Sequence, residues 1–319
     1  MRILRSTLSR RLRAAGLSAL LGAALTACAS GTSPVSGPSA SASSAGSGMA
    51  GMAGMTATAS SSSTNGMGGM GGMGDEPMYT GDGLSASSGG FTLVPSDTTA
   101  TLPANQALSL SFRIEDSSGM AVTSFEDDQT KLMHFYLVRS DLSGFQHVHP
   151  TMAADGTWTA NLAALAPGTY RAYASFITKN SAGSAVALVL SKQFTVAGTS
   201  SSTALPAVAT TTEVDGYTVT LSGELMAGMQ HTLSATITKN GAAVTDLQPY
   251  LDTYAHLTAF HEGDMAFAHL HPQGSVNGDH GGPTLTFQAA MAKTGNYRLF
   301  LQFQTGGVLH TAAITINVS

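Results

Sequence analysis

Apolar and polar residues alternate along this chain with the period of a β-strand. Leu108-Ser109-Leu110-Ser111-Phe112-Arg113-Ile114 puts every second side chain on one apolar face, and Tyr217-Thr218-Val219-Thr220-Leu221 does the same. Thr, Val, Tyr and Phe are plentiful, and turn dipeptides recur between the runs: Asp155-Gly156, Pro167-Gly168, Asn240-Gly241 and Asn277-Gly278. No long amphipathic helical period interrupts them. The pattern predicts an all-β protein with about seven short strands in each half, the count of an immunoglobulin-like β-sandwich.

An internal repeat fixes the number of domains. Val122-Thr123 recurs as Val244-Thr245, His134 as His256, and His147-Val148-His149-Pro150 as His269-Leu270-His271-Pro272. Gly168-Thr169-Tyr170-Arg171 recurs as Gly295-Asn296-Tyr297-Arg298. Landmarks in one order predict two tandem β-sandwich domains, residues 89–198 and 205–319, each of ordinary domain size. The repeat argues against the alternative of one large barrel. The two Gly-x-Tyr-Arg segments look like tyrosine corners, in which the phenol ties a strand start to the preceding loop.

The N-terminal part has a different composition. Arg2, Arg5, Arg10, Arg11 and Arg13 precede an uncharged apolar run from Ala14 to Ala27. That run is shorter than the roughly 20 residues a spanning helix needs and suits a signal-peptide core at 1–27. Leu25-Thr26-Ala27-Cys28 resembles a bacterial lipobox, which implies lipidation of Cys28 and a membrane partner through that anchor. Residues 28–88, mostly Gly, Ser, Ala, Thr and Met, predict a disordered Met/Gly/Ser-rich tether. Cys28 is the single cysteine, so no disulfide and no thiolate metal site can form within one chain. Removing the five signal arginines from 14 Lys+Arg leaves an acidic protein against 19 Asp+Glu, which excludes nucleic acid as a partner.

Candidate chemistry rests on histidine and methionine. His147 and His149, like His269 and His271, stand two apart, so in an extended chain both rings of a pair face one side. The strand residues His134 and His256 lie thirteen positions upstream, where a neighbouring antiparallel strand would bring a third ligand. Three imidazoles suit Cu(II), Zn(II) or Ni(II). Aligning Phe194-Thr195-Val196 with Ile314-Thr315-Ile316 sets Leu190 opposite His310. The second copy thus gains a fourth candidate, His310, and His256, His269, His271 and His310 are expected to converge at one edge of that sandwich. The alternative is structural: each ring bonded to a separate backbone carbonyl. His231, His261 and His280 occur once each and read as exposed loop positions. Met49, Met52 and Met55, then Met67, Met70 and Met73, are spaced by three in the tether, where soft thioethers would favour Cu(I); a plain linker or an oxidant scavenger is the alternative. Met226 and Met229 with His231 form a further soft cluster, or a turn with buried methionines. Gly-x-Ser-x-Gly, phosphate-loop and His-Glu-x-x-His signatures are absent, so an enzyme is not expected.

Phe145-Gln146-His147-Val148-His149-Pro150 resembles a motif of secreted, largely uncharacterised bacterial lipoproteins with repeated His-x-His-Pro segments. Pro249-Tyr250-Leu251, His269-Leu270-His271-Pro272 and Tyr297-Arg298-Leu299-Phe300 carry the same resemblance in the second half. It spans nearly all of residues 89–319 and implies an extracytoplasmic protein loosely associated with heavy-metal handling. The expectation is a membrane-tethered lipoprotein binding copper, with zinc second, and another metal-handling protein as partner. The runner-up is a surface interaction module whose histidines are structural.

Overall fold

The computed structural model describes Tyr79, residues 81–96 and residues 101–319, all within one compact unit. The described residues form strands, turns and loops, without a helix. Cys28 and the tether methionines Met49, Met52, Met55, Met67, Met70 and Met73 lie outside the described residues.

The first repeat comprises β1 (Ser87–Ser88), β2 (Phe91–Pro95), β3 (Thr101–Leu102), β4 (Leu108–Glu115) and β5 (His134–Arg139). It continues with β6 (Gln146–Val148), β7 (Thr151–Met152), β8 (Trp158–Leu162), β9 (Gly168–Lys179) and β10 (Ala185–Val196). Two five-stranded sheets, in the orders β1-β2-β4-β8-β7 and β3-β10-β9-β5-β6, face each other as a sandwich. Phe112, Ile114, Phe135, Leu137, Trp158 and Phe176 fill the space between them.

The second repeat comprises β11 (Thr211–Val214), β12 (Tyr217–Ser222), β13 (Gln230–Lys239), β14 (Ala242–Ala243) and β15 (Ala255–His261). β16 (Phe267–Gln273), β17 (Thr284–Ala290), β18 (Gly295–Thr305) and β19 (Val308–Val318) complete it. Here β16 belongs to both layers. Its first half pairs with β15 through Leu257↔Leu270 and its second half with β17 through His271↔Gln288. In the first repeat the chain breaks at the same place, so that β6 pairs with β5 and β7 with β8. His-x-His-Pro therefore marks the point where a strand crosses from one layer to the other, in both copies. The expected pair of immunoglobulin-like β-sandwiches is what the chain builds.

Both tyrosine corners form. Tyr170 Oη donates to the Ala166 carbonyl at 3.1 Å and Tyr297 Oη to the Lys293 carbonyl at 3.1 Å. The sandwich starts earlier than the compositional boundary at residue 88. Ser191 N donates to the Ser85 carbonyl, Phe267 N to the Asp82 carbonyl, and the Arg171 guanidinium to the Leu84 carbonyl. Satisfying these backbone groups holds residues 81–88 against both repeats.

A third apolar cluster, distinct from the two sandwich cores, joins Tyr136, Val138, Tyr173 and Val189 of the first repeat to Phe260, Phe267 and Phe300 of the second. The sheets that carry the histidines thus pack outer face against outer face. Strand β5 is buried from His134 to Val138 and β15 from Ala255 to Phe260. A strand covered on both faces loses its polar side, which is why Phe135-Tyr136-Leu137-Val138 does not alternate. The contact is pseudo-symmetric: Phe145 stacks on Phe300 at 4.1 Å between centroids, and its counterpart Phe267 meets Tyr173, the counterpart of Phe300, at 5.6 Å.

Candidate metal centre

The register confirms the strand geometry expected within each copy. Tyr136 pairs with His147 and Phe135 with Val148, which continues to His149 beside His134. Thr258 pairs with His269 and Leu257 with Leu270. His134, His147 and His149 accordingly project to one face, as do His256, His269 and His271. Because those faces are the ones that pack together, the two triads merge. His134 stacks on its counterpart His256 at 5.4 Å and 8° between planes, and His147 stands 4.8 Å from His256. Six histidines from both repeats form one continuous cluster.

His310 is not part of it. It pairs with Phe303, which pairs with Ala255, so it shares their face of the sheet, the core face, whereas His256 projects from the opposite one. Its Nδ1 meets Asp215 Oδ2 at 2.7 Å and its Nε2 meets Thr305 Oγ1 at 2.9 Å. The expected four-histidine convergence is corrected to a six-histidine cluster without His310, because residues one apart on a strand point to opposite faces. His231 lies in β13 and His261 ends β15, bonded to Asp264 and the Thr294 carbonyl; neither is an exposed loop residue. Met226 and Met229 are exposed rather than buried.

The first-copy triad is the group whose geometry fits an ion. His134, His147 and His149 each offer one ring nitrogen within 4.8 Å of the other two, the group of this kind among the described residues. Ligands at about 2 Å from a metal stand roughly 3–4 Å apart, within reach of small side-chain rotations. The hydrogen bonds also fix which nitrogens carry lone pairs. His134 Nε2 lies 3.0 Å from the Asp128 carbonyl, which can only accept, so that nitrogen carries the proton. His147 Nδ1 lies 2.6 Å from Gln302 Oε1 and donates to it. In the neutral rings, the remaining nitrogens, His134 Nδ1 and His147 Nε2, then face each other as two lone pairs 3.0 Å apart. His149 Nε2 is covered and has no hydrogen-bond partner. Two bare lone pairs thus meet with no proton between them, a repulsive arrangement that a cation relieves, and His149 offers a third ring nitrogen within 4.8 Å.

Protonation is opposed at this place. Burial, and then the neighbouring imidazoles, hold His147, His256 and His269 well below the ordinary histidine range. Burial lowers His134 and His271, and brings His149 down to about 4. Neutral imidazole is the form that ligates.

The second triad is equipped differently, and pseudo-symmetry shows why. Gln302, which holds His147, has Ser175 as its counterpart, since His256 pairs with Gln302 and His134 with Ser175. Serine is too short for that role, and both Ser175 Oγ and the two ring nitrogens of His269 are covered and unpartnered. Tyr136, whose phenol is 2.8 Å from His256 Nε2, has Thr258 as counterpart, and Thr258 Oγ1 is unpartnered too. His256 Nδ1 meets Gln129 Oε1 at 2.8 Å, so with the proton on Nδ1 the phenol donates to Nε2. Both nitrogens of His256 are thus engaged across the repeat boundary. Gln129 is presented by a two-residue turn with φ of 45° at Gln129 and 69° at Thr130, repeated at Leu251 and Asp252. A β-branched residue at positive φ is a strained choice, kept where Asp128 and Gln129 together position two histidines. Sequence reasoning missed Asp128, Gln129, Tyr136 and Gln302. The unalternating Phe135–Val138 run was the one signal that their face is covered.

The sequence matches the family described as Domain of unknown function (DUF8832) over residues 89–192 and 212–319. No curated protein matches it. Among solved structures, the Escherichia coli adhesin FdeC aligns with 73% of this chain and 65% of its own, at 16% identity and a TM-score of 0.23. The Yersinia pseudotuberculosis adhesin InvE aligns with 75% of this chain and 62% of its own, at 15% identity and a TM-score of 0.21. Escherichia coli alpha-2-macroglobulin activated by porcine elastase aligns with 72% of this chain and 20% of its own, at 11% identity and a TM-score of 0.25. The chain spans less than two thirds of each of these proteins.

Proposed function

The chain belongs to the DUF8832 family, and we propose that its paired repeats hold one transition-metal ion on His134, His147 and His149. The observation that carries this reading is the pair of facing lone pairs, His134 Nδ1 and His147 Nε2 at 3.0 Å, with their other nitrogens bonded to Asp128 and Gln302. Outer hydrogen bonds of this kind set the tautomer and orientation of ligating histidines. Three neutral imidazoles suit Cu(II) or Zn(II), with a position left for a further ligand. On this reading the protein acts outside the cytoplasmic membrane, tethered through a lipid on Cys28, and buffers or hands on copper or zinc without catalysing a reaction.

The test is metal analysis of the purified chain after Cu(II) or Zn(II) challenge and removal of loose ions. Wild type is expected to retain an ion and His149→Ala to lose it while keeping its fold. Retention by His149→Ala of the same ion at the same affinity would refute the triad.

The structural reading of the histidines applies to two of them. His256 is bonded at both nitrogens to Tyr136 and Gln129, and His310 to Asp215 and Thr305. For these residues a role in clamping repeat to repeat, or strand to turn, accounts for the chemistry present.

A further inference from the structure

His269 lacks the hydrogen bonds that fix His134, His147, His256 and His310. Both its ring nitrogens are covered and unpartnered. Its ring lies 5.1 Å from that of His256 on one side and stacks on His271 at 4.8 Å and 26° on the other. His271 keeps part of its surface exposed. The two rings line a partly open pocket of about 530 Å³, walled also by Tyr79, Phe267, Pro272 and Gln288. The Tyr79 ring covers both, at 5.3 Å from His269 and 6.4 Å from His271. Its phenol donates to the Asp128 carboxylate, and the carbonyl of that same residue fixes His134. The pocket thus leads through the unengaged imidazole to the ring of His256, which stands 4.8 Å from His147 of the inner triad.

Resting on the metal-binding reading of the triad, we propose that His269 and His271 form a second, exchangeable metal site in this pocket, from which the ion passes to His134, His147 and His149. Two imidazoles and solvent hold an ion less tightly than three imidazoles, which sets the direction of transfer. His271 meets the ion at the surface. His269 takes it next, since no hydrogen bond ties its ring. The step is ligand exchange: the bond from metal to a His269 nitrogen breaks as a bond to a triad nitrogen forms. The imidazoles are neutral before and after, so no proton moves, and the metal keeps its oxidation state. The short Ser175 then has a role that its counterpart Gln302 could not fill, because a glutamine there would pin His269 as Gln302 pins His147.

The test uses the full chain in detergent with Zn(II) alone as probe. Stoichiometry is read by equilibrium dialysis, and loading rate by stopped-flow competition with a chromophoric chelator. Wild type is expected to bind two ions of unequal affinity. His269→Ala and His271→Ala should each lose the weaker ion and load the tighter one about tenfold more slowly or worse, with its equilibrium affinity kept. Ser175→Gln should slow loading while leaving every histidine in place. His149→Ala should lose the tighter ion and keep the weaker one. Two ions and wild-type loading in both His269→Ala and His271→Ala would overturn the proposal while leaving the triad intact. A single wild-type ion that survives His149→Ala and vanishes in His269→Ala would overturn the transfer and refute the triad as well.

Discussion

Replacing Gln302 with leucine separates a ligand-holding role from a merely structural one. Gln302 is 4% exposed, and its Oε1 receives the His147 Nδ1 proton at 2.6 Å. Leucine fills a similar volume, so little cavity cost arises. What is lost is the acceptor, together with a long 3.4 Å bond from Gln302 Nε2 to Thr311 Oγ1. A buried N–H left unpaired costs about 1–3 kcal/mol, which sets the upper limit of the fall in urea-unfolding free energy of the metal-free protein, because a proton moved to Nε2 would bond His134 Nδ1 instead. The ring is then free to turn or to move its proton to Nε2, the nitrogen that faces His134. Removing such an outer hydrogen bond typically weakens a metal site about 10–100-fold, or roughly 1.4–2.8 kcal/mol. Chelator competition with Zn(II) and Cu(II) measures that loss. If stability drops and metal affinity stays within about threefold, a change well below that range, then His147 is a structural residue and the triad does not ligate. If neither changes, the His147–Gln302 bond does not hold the ring in solution.

Three further outcomes follow from the same structure. The metal-free protein should lose stability with acid: the cluster histidines have folded pKa values below their unfolded value of about 6.5, so the unfolded chain binds more protons in this window. Stability is then full above about pH 6.5 and falls as pH drops towards the value of about 4 held by His149; a flat urea midpoint from pH 7 to 4.5 in the presence of chelator would contradict the buried neutral cluster. Tyr136→Phe removes only the hydroxyl that donates to His256 and should destabilise the protein by about 1–3 kcal/mol, read by chemical denaturation, with Zn(II) affinity kept within a few fold; unchanged stability would mean that this bond does not clamp the repeats. Cys28→Ser should release the protein from the membrane fraction in high salt and alter its mass; continued membrane association at the same mass would refute lipid anchoring.

The sequence alone determined the strands, the two domains and the local triads. Those features are short-range: period-2 alternation sets the faces, turn dipeptides end the runs, and the i, i+2 spacing with a partner strand thirteen residues upstream puts three rings on one side in each copy. The tyrosine corners were legible for the same reason, since Tyr170 and Tyr297 reach back only four residues. Tertiary structure decided the rest. That the two histidine-bearing sheets pack outer face to outer face rests on Tyr136, Phe145, Phe267 and Phe300 meeting across more than a hundred residues of chain, and only an absence of alternation near Phe135 hinted at it. Packing placed His310 on the far side of its sheet, through a pairing register that similarity of the two copies does not specify. It also made near-equivalent triads unequal. Gln302 against Ser175, Tyr136 against Thr258 and Gln129 against Leu251 are single differences between repeats that look like drift in the sequence. They acquire meaning only when each side chain is brought to the other repeat's histidines, where a bond formed or missed fixes a lone pair's direction.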